Sequence, residues 1–146
     1  MDDAARPLDE LLREARERIT RLDPAEAFAA AADGALLVDI RADTDRGRTG
    51  VVPGSLHIPR TVLEWRLEPG GRWRNPHLGD VTRRVIVLCD HGYSSVLAAA
   101  TLVRLGYRDV CDVVGGVEAW KASGLPLVPQ TSSGNPAELP GMGGPD

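Results

Sequence analysis

Hydrophobic positions in this chain fall into two patterns that alternate along its length. Short continuous runs of aliphatic residues predict strands, and the runs at 35–40 and 85–88 are apolar enough for strands buried on both faces. Two further strands are expected at 56–58 and 108–114. Helices are expected between the strands, at 24–33, 61–67 and 96–105 and around Trp120. This order is typical of an α/β fold with a mainly parallel central sheet flanked by helices.

The first helix of this α/β region carries a clear start signal. Asp23 can cap the helix, Pro24 suits its first turn, and Glu26 completes a capping box, while Gly34 ends the helix. By contrast, residues 42–55 are rich in glycine and proline and are predicted to be a loop.

Residues 7–21 predict a separate, charged helix on the surface. Leu8, Leu11, Leu12, Ala15 and Ile19 form one apolar stripe that could dock on the domain or contact a partner. Glu17 and Arg21 are spaced for an ion pair on this helix. The expected organisation is therefore an N-terminal helical extension at 1–21, one α/β domain at 22–130, and a disordered tail at 131–146 that is rich in glycine, serine and proline.

Composition excludes several classes of function. The chain has 146 residues, of which 42% are hydrophobic and 26% charged, and its net charge is −4. This charge argues against nucleic-acid binding, and no apolar run approaches the roughly 20 residues that a membrane span needs. The acidic amino terminus is unlike a signal peptide. Two cysteines make no disulfide framework, so we expect the protein in a reducing cytoplasm. The cysteines and histidines lack the spacing of metal ligands, and we expect neither a metal nor a cofactor.

Cys89 is the strongest candidate for chemistry. It follows the predicted buried strand at 85–88 and precedes the helix at 96–105. A thiol in this position faces unpaired backbone N–H groups and the positive end of the helix dipole, and both favour the reactive thiolate. We therefore predict that Cys89 is a nucleophile. Cys111 lies within a strand and is expected to be a buried inert thiol, with a resolving role for Cys89 as the alternative.

Four segments, taken together, carry a resemblance to single-domain rhodaneses, which are sulfurtransferases. They read LLVDIR, VPGSLHIP, VLCDHGYSSVLAAA and VVGGVEAWKASGLP, at residues 36–41, 52–59, 87–100 and 113–126. The resemblance implies a rhodanese-like α/β fold with the cysteine loop at the carboxyl edge of the sheet, where ligands bind in open α/β sheets.

The resemblance also implies a two-step sulfur transfer. Cys89 would take a sulfane sulfur from thiosulfate or a persulfide donor and pass it, from a persulfide intermediate, to cyanide, a thiol or a protein acceptor. The backbone N–H groups of the following loop would stabilise negative charge, and Gly92 would allow a positive φ. The expected substrate-binding loop comprises Asp90, His91, Gly92, Tyr93, Ser94 and Ser95, and the expected supporting residues are Asp39 and Arg41.

Three features of the loop and its surroundings modify this expectation. Many active rhodaneses have a basic residue where this chain has Asp90 or Ser94, so thiosulfate could be a poor donor and a non-catalytic binding or redox-sensing module is the alternative. The phosphatase branch of the fold has arginine six residues after its cysteine, where this chain has Ser95. Between residues 41 and 74, seven arginines face four acids, so this segment is either ordinary solvated loop or an anion-attracting rim.

Overall fold

The computed structural model describes residues 6–130, which form one parallel sheet with helices on both faces. The elements in chain order are α1 (Pro7–Arg18), β1 (Thr20–Leu22), α2 (Pro24–Ala32), β2 (Leu36–Asp39), α3 (Asp43–Thr49), β3 (Leu56–His57), α4 (Leu63–Leu67), β4 (Val85–Leu88), α5 (Ser94–Arg104), β5 (Val110–Val113) and α6 (Gly116–Ala122). The strand order is β1-β5-β4-β2-β3, and every pair is parallel. The predicted α/β fold with a parallel sheet flanked by helices is confirmed.

The core lies on both faces of the sheet, which explains why β4 and the first three residues of β2 are continuous apolar runs. On one face, Val85 and Val87 pack with residues of α5 such as Leu102. On the other face, Ile86 and Leu88 pack in the cluster that contains Trp120. Successive side chains of a strand point to opposite faces, so in a strand covered on both sides every side chain enters one of the two buried layers.

The start of α2 matches the predicted capping box. The Asp23 carboxylate accepts a hydrogen bond from the Glu26 N–H, and the Glu26 carboxylate accepts one from the Asp23 N–H. Pro24 occupies the first turn.

The helix predicted at 7–21 is shorter than expected. It ends at Arg18, and Thr20–Leu22 instead form β1, which pairs with β5 at the edge of the sheet. The predicted pair between Glu17 and Arg21 is therefore wrong: Glu17 binds Arg13, and Arg21 binds Asp112. Docking of α1 on the domain is confirmed for the buried part of its stripe, because Leu12 and Ala15 pack against Val96 of α5.

The loop predicted at 42–55 is wrong over half of its length, because Asp43–Thr49 form α3. Asp43 and Asp45 lie in the first turn of this helix and Arg46 and Arg48 in the last, an order that suits the helix dipole. Arg46 is fully buried and lies 3.4 Å from the Asp39 carboxylate at the end of β2. This contact fixes α3 beside the carboxyl edge of the sheet.

Two further expectations can be compared with the described residues. The helix predicted at 61–67 is a 3-10 turn at Arg60–Val62 followed by α4, and Thr61 does not cap it. The tail predicted to be disordered lies outside the described residues. No helix within residues 6–130 is long and apolar enough to cross a membrane.

Candidate functional site

Cys89 lies at the carboxyl edge of the sheet, directly after β4. Its neighbour along the sheet is the end of β2, where Asp39 is in register with Leu88. The thiol is buried, with 5% of the residue exposed. The chain then turns through a short loop into α5, so the sulfur faces the amino end of that helix, as the sequence predicted.

Two backbone N–H groups of this turn donate hydrogen bonds to the cysteine sulfur. The Gly92 N lies 3.2 Å from Cys89 Sγ, and the Ser95 N lies 3.3 Å from it. Gly92 has a φ of +82°, which confirms the predicted positive φ. A Cβ at this position would lie 2.6 Å from the backbone N of Gly115, so only glycine fits without displacing the backbone.

These donors make the sulfur more acidic than its burial alone would allow. Burial acts to raise the pKa of Cys89, but the hydroxyls of Ser95 and Ser94 and the N–H groups of Ser95 and Gly92 outweigh it, so the pKa lies below the ordinary thiol value. The Ser95 hydroxyl has a single proton, however, and donates it to the Asp112 carboxylate at 2.8 Å. We therefore assign the stabilisation of the thiolate to the two backbone N–H groups together with the Ser94 hydroxyl.

The beginning of α6 holds the loop from the other side. The Val117 N–H donates to the Cys89 carbonyl oxygen at 2.8 Å, and the Glu118 N–H donates to the Asp90 carbonyl oxygen at 3.1 Å. Gly116 has a φ of +61°, and a Cβ there would lie 2.6 Å from the Asp90 carbonyl. Close backbone contact with the cysteine loop therefore explains this glycine.

Asp90, the residue that departs from the pattern of active rhodaneses, does not carry an uncompensated charge. Its two carboxylate oxygens lie 3.4 Å from guanidinium nitrogens of Arg41 and Arg48. The Asp90 side chain is 18% exposed. The carboxylate is directed toward α3 and the end of β2, where these arginines lie.

Asp39 and Arg41 form the buried support on that side of the loop. The Asp39 carboxylate accepts hydrogen bonds from the Arg41 backbone N–H at 3.0 Å and from Arg41 Nη2 at 2.9 Å. Arg41 also donates to Thr49 and to the Gly50 carbonyl oxygen. Burial acts against the charge of Arg41, but Asp39 and Asp90 raise its pKa above the ordinary arginine value.

Sequence reasoning missed Asp112 and the new role of Arg21. Asp112 lies in the middle of β5 and is fully buried, and Arg21 lies beside it in register on β1. Arg21 donates to both oxygens of Asp112, at 2.8 and 3.1 Å, and to the Gly92 carbonyl oxygen at 2.9 Å. The available signal was a charged residue within an otherwise apolar strand, because such a residue needs a buried partner.

Cys111 is placed where it cannot resolve a disulfide with Cys89. It is paired across the sheet with Ile86, which lies three residues before Cys89, and the two thiols belong to core clusters on opposite faces. Burial raises the pKa of the Cys111 thiol to about 11. The expected inert thiol fits this position, and the resolving alternative does not.

The remaining residues of the predicted loop lie at its rim. His91, Tyr93 and Ser94 are exposed, and Tyr93 is 61% exposed. Within residues 6–130, no three histidine, cysteine, aspartate or glutamate side chains are close enough together to hold a metal ion.

Sequence comparison finds a family match over most of this chain. Residues 23–123 match the family described as rhodanese-like domain. The thiosulfate sulfurtransferase GlpE of Pseudomonas savastanoi is 34% identical over 103 residues, which cover 70% of this chain and 88% of that protein. The GlpE protein of Haemophilus influenzae is 32% identical, over 73% of this chain and 91% of that protein.

Solved structures match over a similar range. A Rhodopseudomonas palustris protein of unknown function, described as a possible tyrosine phosphatase, has a TM-score of 0.78 and 30% identity, with 88% of this chain and 98% of that chain covered. The polysulfide-sulfur transferase of Wolinella succinogenes, described as a homodimer, has a TM-score of 0.66 and 22% identity, with 86% and 89% covered. At that identity the second match shows the fold alone.

Proposed function

Since this chain belongs to the family of rhodanese-like domains, we propose that it is a sulfurtransferase enzyme that carries a sulfane sulfur on Cys89 as a persulfide. The observation that carries the assignment of Cys89 is the pair of N–H donors from Gly92 and Ser95 on its sulfur. The relatives described as thiosulfate sulfurtransferases support the reaction class.

The first half of the reaction loads the enzyme. The Cys89 thiolate attacks the outer sulfur of thiosulfate or of a persulfide and forms a new S–S bond. The S–S bond of the donor breaks, and sulfite or a thiolate leaves with the bonding electron pair. Cys89 now carries a persulfide whose terminal sulfur is negatively charged.

The second half returns the enzyme to its starting state. Cyanide or an acceptor thiolate attacks the terminal sulfur, the S–S bond to Cys89 breaks, and Cys89 leaves as a thiolate. The same loop serves both halves, because the N–H groups of Gly92 and Ser95 that stabilise the attacking thiolate also stabilise the departing one. No external oxidant or reductant is needed, since the sulfur moves between partners of matching oxidation state.

The charges beside the loop favour a persulfide over thiosulfate as donor. The cluster beside Asp90 contains the guanidiniums of Arg41, Arg46 and Arg48, and the carboxylates of Asp39, Asp43, Asp45 and Asp90 contact them. The carboxylates thus exceed the guanidiniums by one. A thiosulfate dianion would therefore find no uncompensated cation in this cluster, whereas a singly charged persulfide needs less attraction.

Phosphoryl transfer is not favoured, although one structural neighbour is described as a possible tyrosine phosphatase. Cysteine phosphatases of this fold bind the phosphoryl group with an arginine six residues after the nucleophile. Here that position is Ser95, whose hydroxyl is bonded to Asp112. Ser95 can supply one N–H group but no charge for a phosphate dianion.

The alternative of a binding or redox-sensing module predicts a different fate for Cys89. Such a module would form a sulfenate or a stable partner complex at Cys89 without transferring sulfur. It is motivated by the negative charge of Asp90 and by the absence of a basic residue in the loop, and the ion pairs to Arg41 and Arg48 weaken the first of these two reasons. A cytoplasmic location and a thiol or protein acceptor remain part of the proposal, supported by the need for a reduced Cys89.

Intact-mass spectrometry tests the proposal directly. Incubation with thiosulfate, and separately with a glutathione persulfide donor, should add about 32 Da at Cys89, and cyanide should remove it with formation of thiocyanate. Cys111→Ser should behave as the parent protein, because its thiol is buried with a raised pKa. Absence of the adduct with both donors, or unchanged transfer in Cys89→Ser, would contradict the proposal, and a sulfenate without transfer would favour the sensing module.

A further inference from the structure

A buried polar chain connects the cysteine loop to the edge strand β1. Asp112 accepts hydrogen bonds from Arg21 on one side and from the Ser95 hydroxyl on the other. Arg21 also donates to the carbonyl oxygen of Gly92 at 2.9 Å. Gly92 and Ser95 are the two residues whose N–H groups donate to Cys89, so both donors are held from behind by the same ion pair.

The ion pair also brings a positive charge close to the cysteine loop, because the Arg21 guanidinium is bonded to the Gly92 carbonyl oxygen. The hydrogen bond and charge of Asp112 raise the pKa of Arg21 despite partial burial, and the charge of a Cys89 thiolate raises it further. The interaction is reciprocal: a guanidinium that is stabilised by a thiolate also stabilises that thiolate. Arg21 therefore supplies a positive charge behind the loop. The loop positions that are basic in many active rhodaneses, Asp90 and Ser94, supply none.

We propose that Arg21 and Asp112 form a positioning pair for the sulfurtransferase reaction, in which Arg21 holds the loop and favours the Cys89 thiolate. Asp112 fixes Arg21 and accepts the hydrogen bond of the Ser95 hydroxyl, which leaves the backbone N–H of Ser95 directed at the sulfur. This inference rests on the proposed function of Cys89 as the nucleophile. It adds one residue from β1 and one from β5 to the site. Neither is hydrogen-bonded to the sulfur; both act through Gly92 and Ser95.

Two substitutions separate the charge of Arg21 from its structural role, because they are expected to change the stability of the Cys89 thiolate in different directions. Arg21→Gln removes the cation and leaves the Asp112 carboxylate uncompensated, so the Cys89 thiolate is disfavoured. Asp112→Asn removes the anion and retains the cation, and its amide oxygen can still accept the hydrogen bond of the Ser95 hydroxyl, so the thiolate is favoured or unchanged. A pair that only braced the fold would show the same loss in both variants.

The measurement is the rate of Cys89 alkylation by iodoacetamide as a function of pH, in a Cys111→Ser background with one thiol. In Arg21→Gln we expect alkylation at pH 6.5 to be about tenfold slower, with an unchanged plateau at high pH, because the pKa of Cys89 rises when the nearby cation is lost. Asp112→Asn should react at least as fast as the parent protein. Arg21→Lys should keep most of the reactivity, since it retains the charge without the two-pronged hydrogen bond.

The chain offers a matched control at the opposite end of the sheet. Arg84 and Asp109 form a more exposed ion pair at 3.0 Å, so Arg84→Gln removes an arginine–aspartate pair remote from the loop. Other ionisable groups around the loop are Asp90 with Arg41 and Arg48, on the side of β2, and the exposed His91 within the loop itself. All of them are common to every variant. Urea denaturation of each variant shows whether it is folded at the assay temperature.

Two results would overturn the inference. One is an Arg21→Gln profile that coincides with that of Arg84→Gln. The other is an equal loss of alkylation rate in Arg21→Gln, Arg21→Lys and Asp112→Asn. Alkylation detects the thiolate whether or not sulfur is transferred, so failure of this inference is distinguishable from failure of the persulfide test.

Discussion

Replacing Gly92 with alanine tests whether the loop geometry, rather than the cysteine alone, makes the thiol reactive. The new Cβ would lie 2.6 Å from the Gly115 N and 3.0 Å from the Val113 carbonyl oxygen. Both are backbone atoms, one at the end of β5 and the other in the turn before α6, and the start of α6 is hydrogen-bonded to the cysteine loop. The loop must therefore shift, and the Gly92 N–H moves with it.

The magnitude follows from two costs that a control separates. The φ of +82° costs an L-residue about 1–2 kcal/mol, and the backbone clash adds about 1–3 kcal/mol, so we expect a loss of about 2–5 kcal/mol in the free energy of unfolding. Gly54 has a nearly identical φ of +81°, with nothing within 4 Å of its Cβ position. Gly54→Ala should therefore lose only about 1–2 kcal/mol.

The effect on chemistry should differ even more than the effect on stability. A hydrogen bond to a charged group contributes about 1.5–3 kcal/mol, so loss of the Gly92 donor should slow persulfide formation by about 10- to 100-fold. Gly54→Ala should retain the parent rate. Urea denaturation measures the free energy of unfolding, and mass spectrometry of samples quenched at successive times measures the rate of persulfide formation. Equal values for the two alanine variants in both measurements would refute the reasoning.

Three other substitutions or modifications follow from the same geometry. Iodoacetamide near pH 7 should modify Cys89 and spare Cys111. Hydrogen bonds lower the pKa of Cys89 in spite of its burial, whereas burial raises the pKa of Cys111 to about 11. Peptide mapping that finds Cys111 modified first would contradict this. Asp90→Asn should lower the KM for thiosulfate by about tenfold, since two guanidiniums lose a competing carboxylate, and should change the KM for a persulfide less. Asp39→Asn should destabilise the fold by about 3–5 kcal/mol, because the buried Arg41 and Arg46 lose their shared charged partner. Asp109→Asn, at an exposed ion pair, should cost at most about 1 kcal/mol, and similar urea midpoints for the two variants would argue against this account.

The segment from β4 to α5 shows how much of the site is local. A four-residue apolar strand, a cysteine, a short turn and a helix of small residues follow one another, and each is specified by its own composition. The glycine in the turn predicted a positive φ, which the structure confirms. Sequence reasoning could therefore place the sulfur beside backbone N–H groups without knowing any distant contact.

The charge around the sulfur could not be predicted in the same way. Asp90 read as an obstacle to an anionic donor, because its partners Arg41 and Arg48 lie more than forty residues earlier in the chain. The helix α3, which carries Arg48, was itself predicted to be a loop, since its seven residues include a glycine and almost no apolar side chains. Its position depends on the buried contact of Arg46 with Asp39 rather than on helix propensity.

The sequence by itself determined the α/β class, the parallel sheet, the capping box of α2 and the place of Cys89 after the central strand, because each depends on neighbouring residues or on periodicity. Only the tertiary structure decided that Arg21 leaves the N-terminal helix and joins Asp112, 91 residues away, behind the cysteine loop. The pairing of β1 with β5 brings the two side chains into register, and a strand pairing of that separation leaves no local trace in either segment.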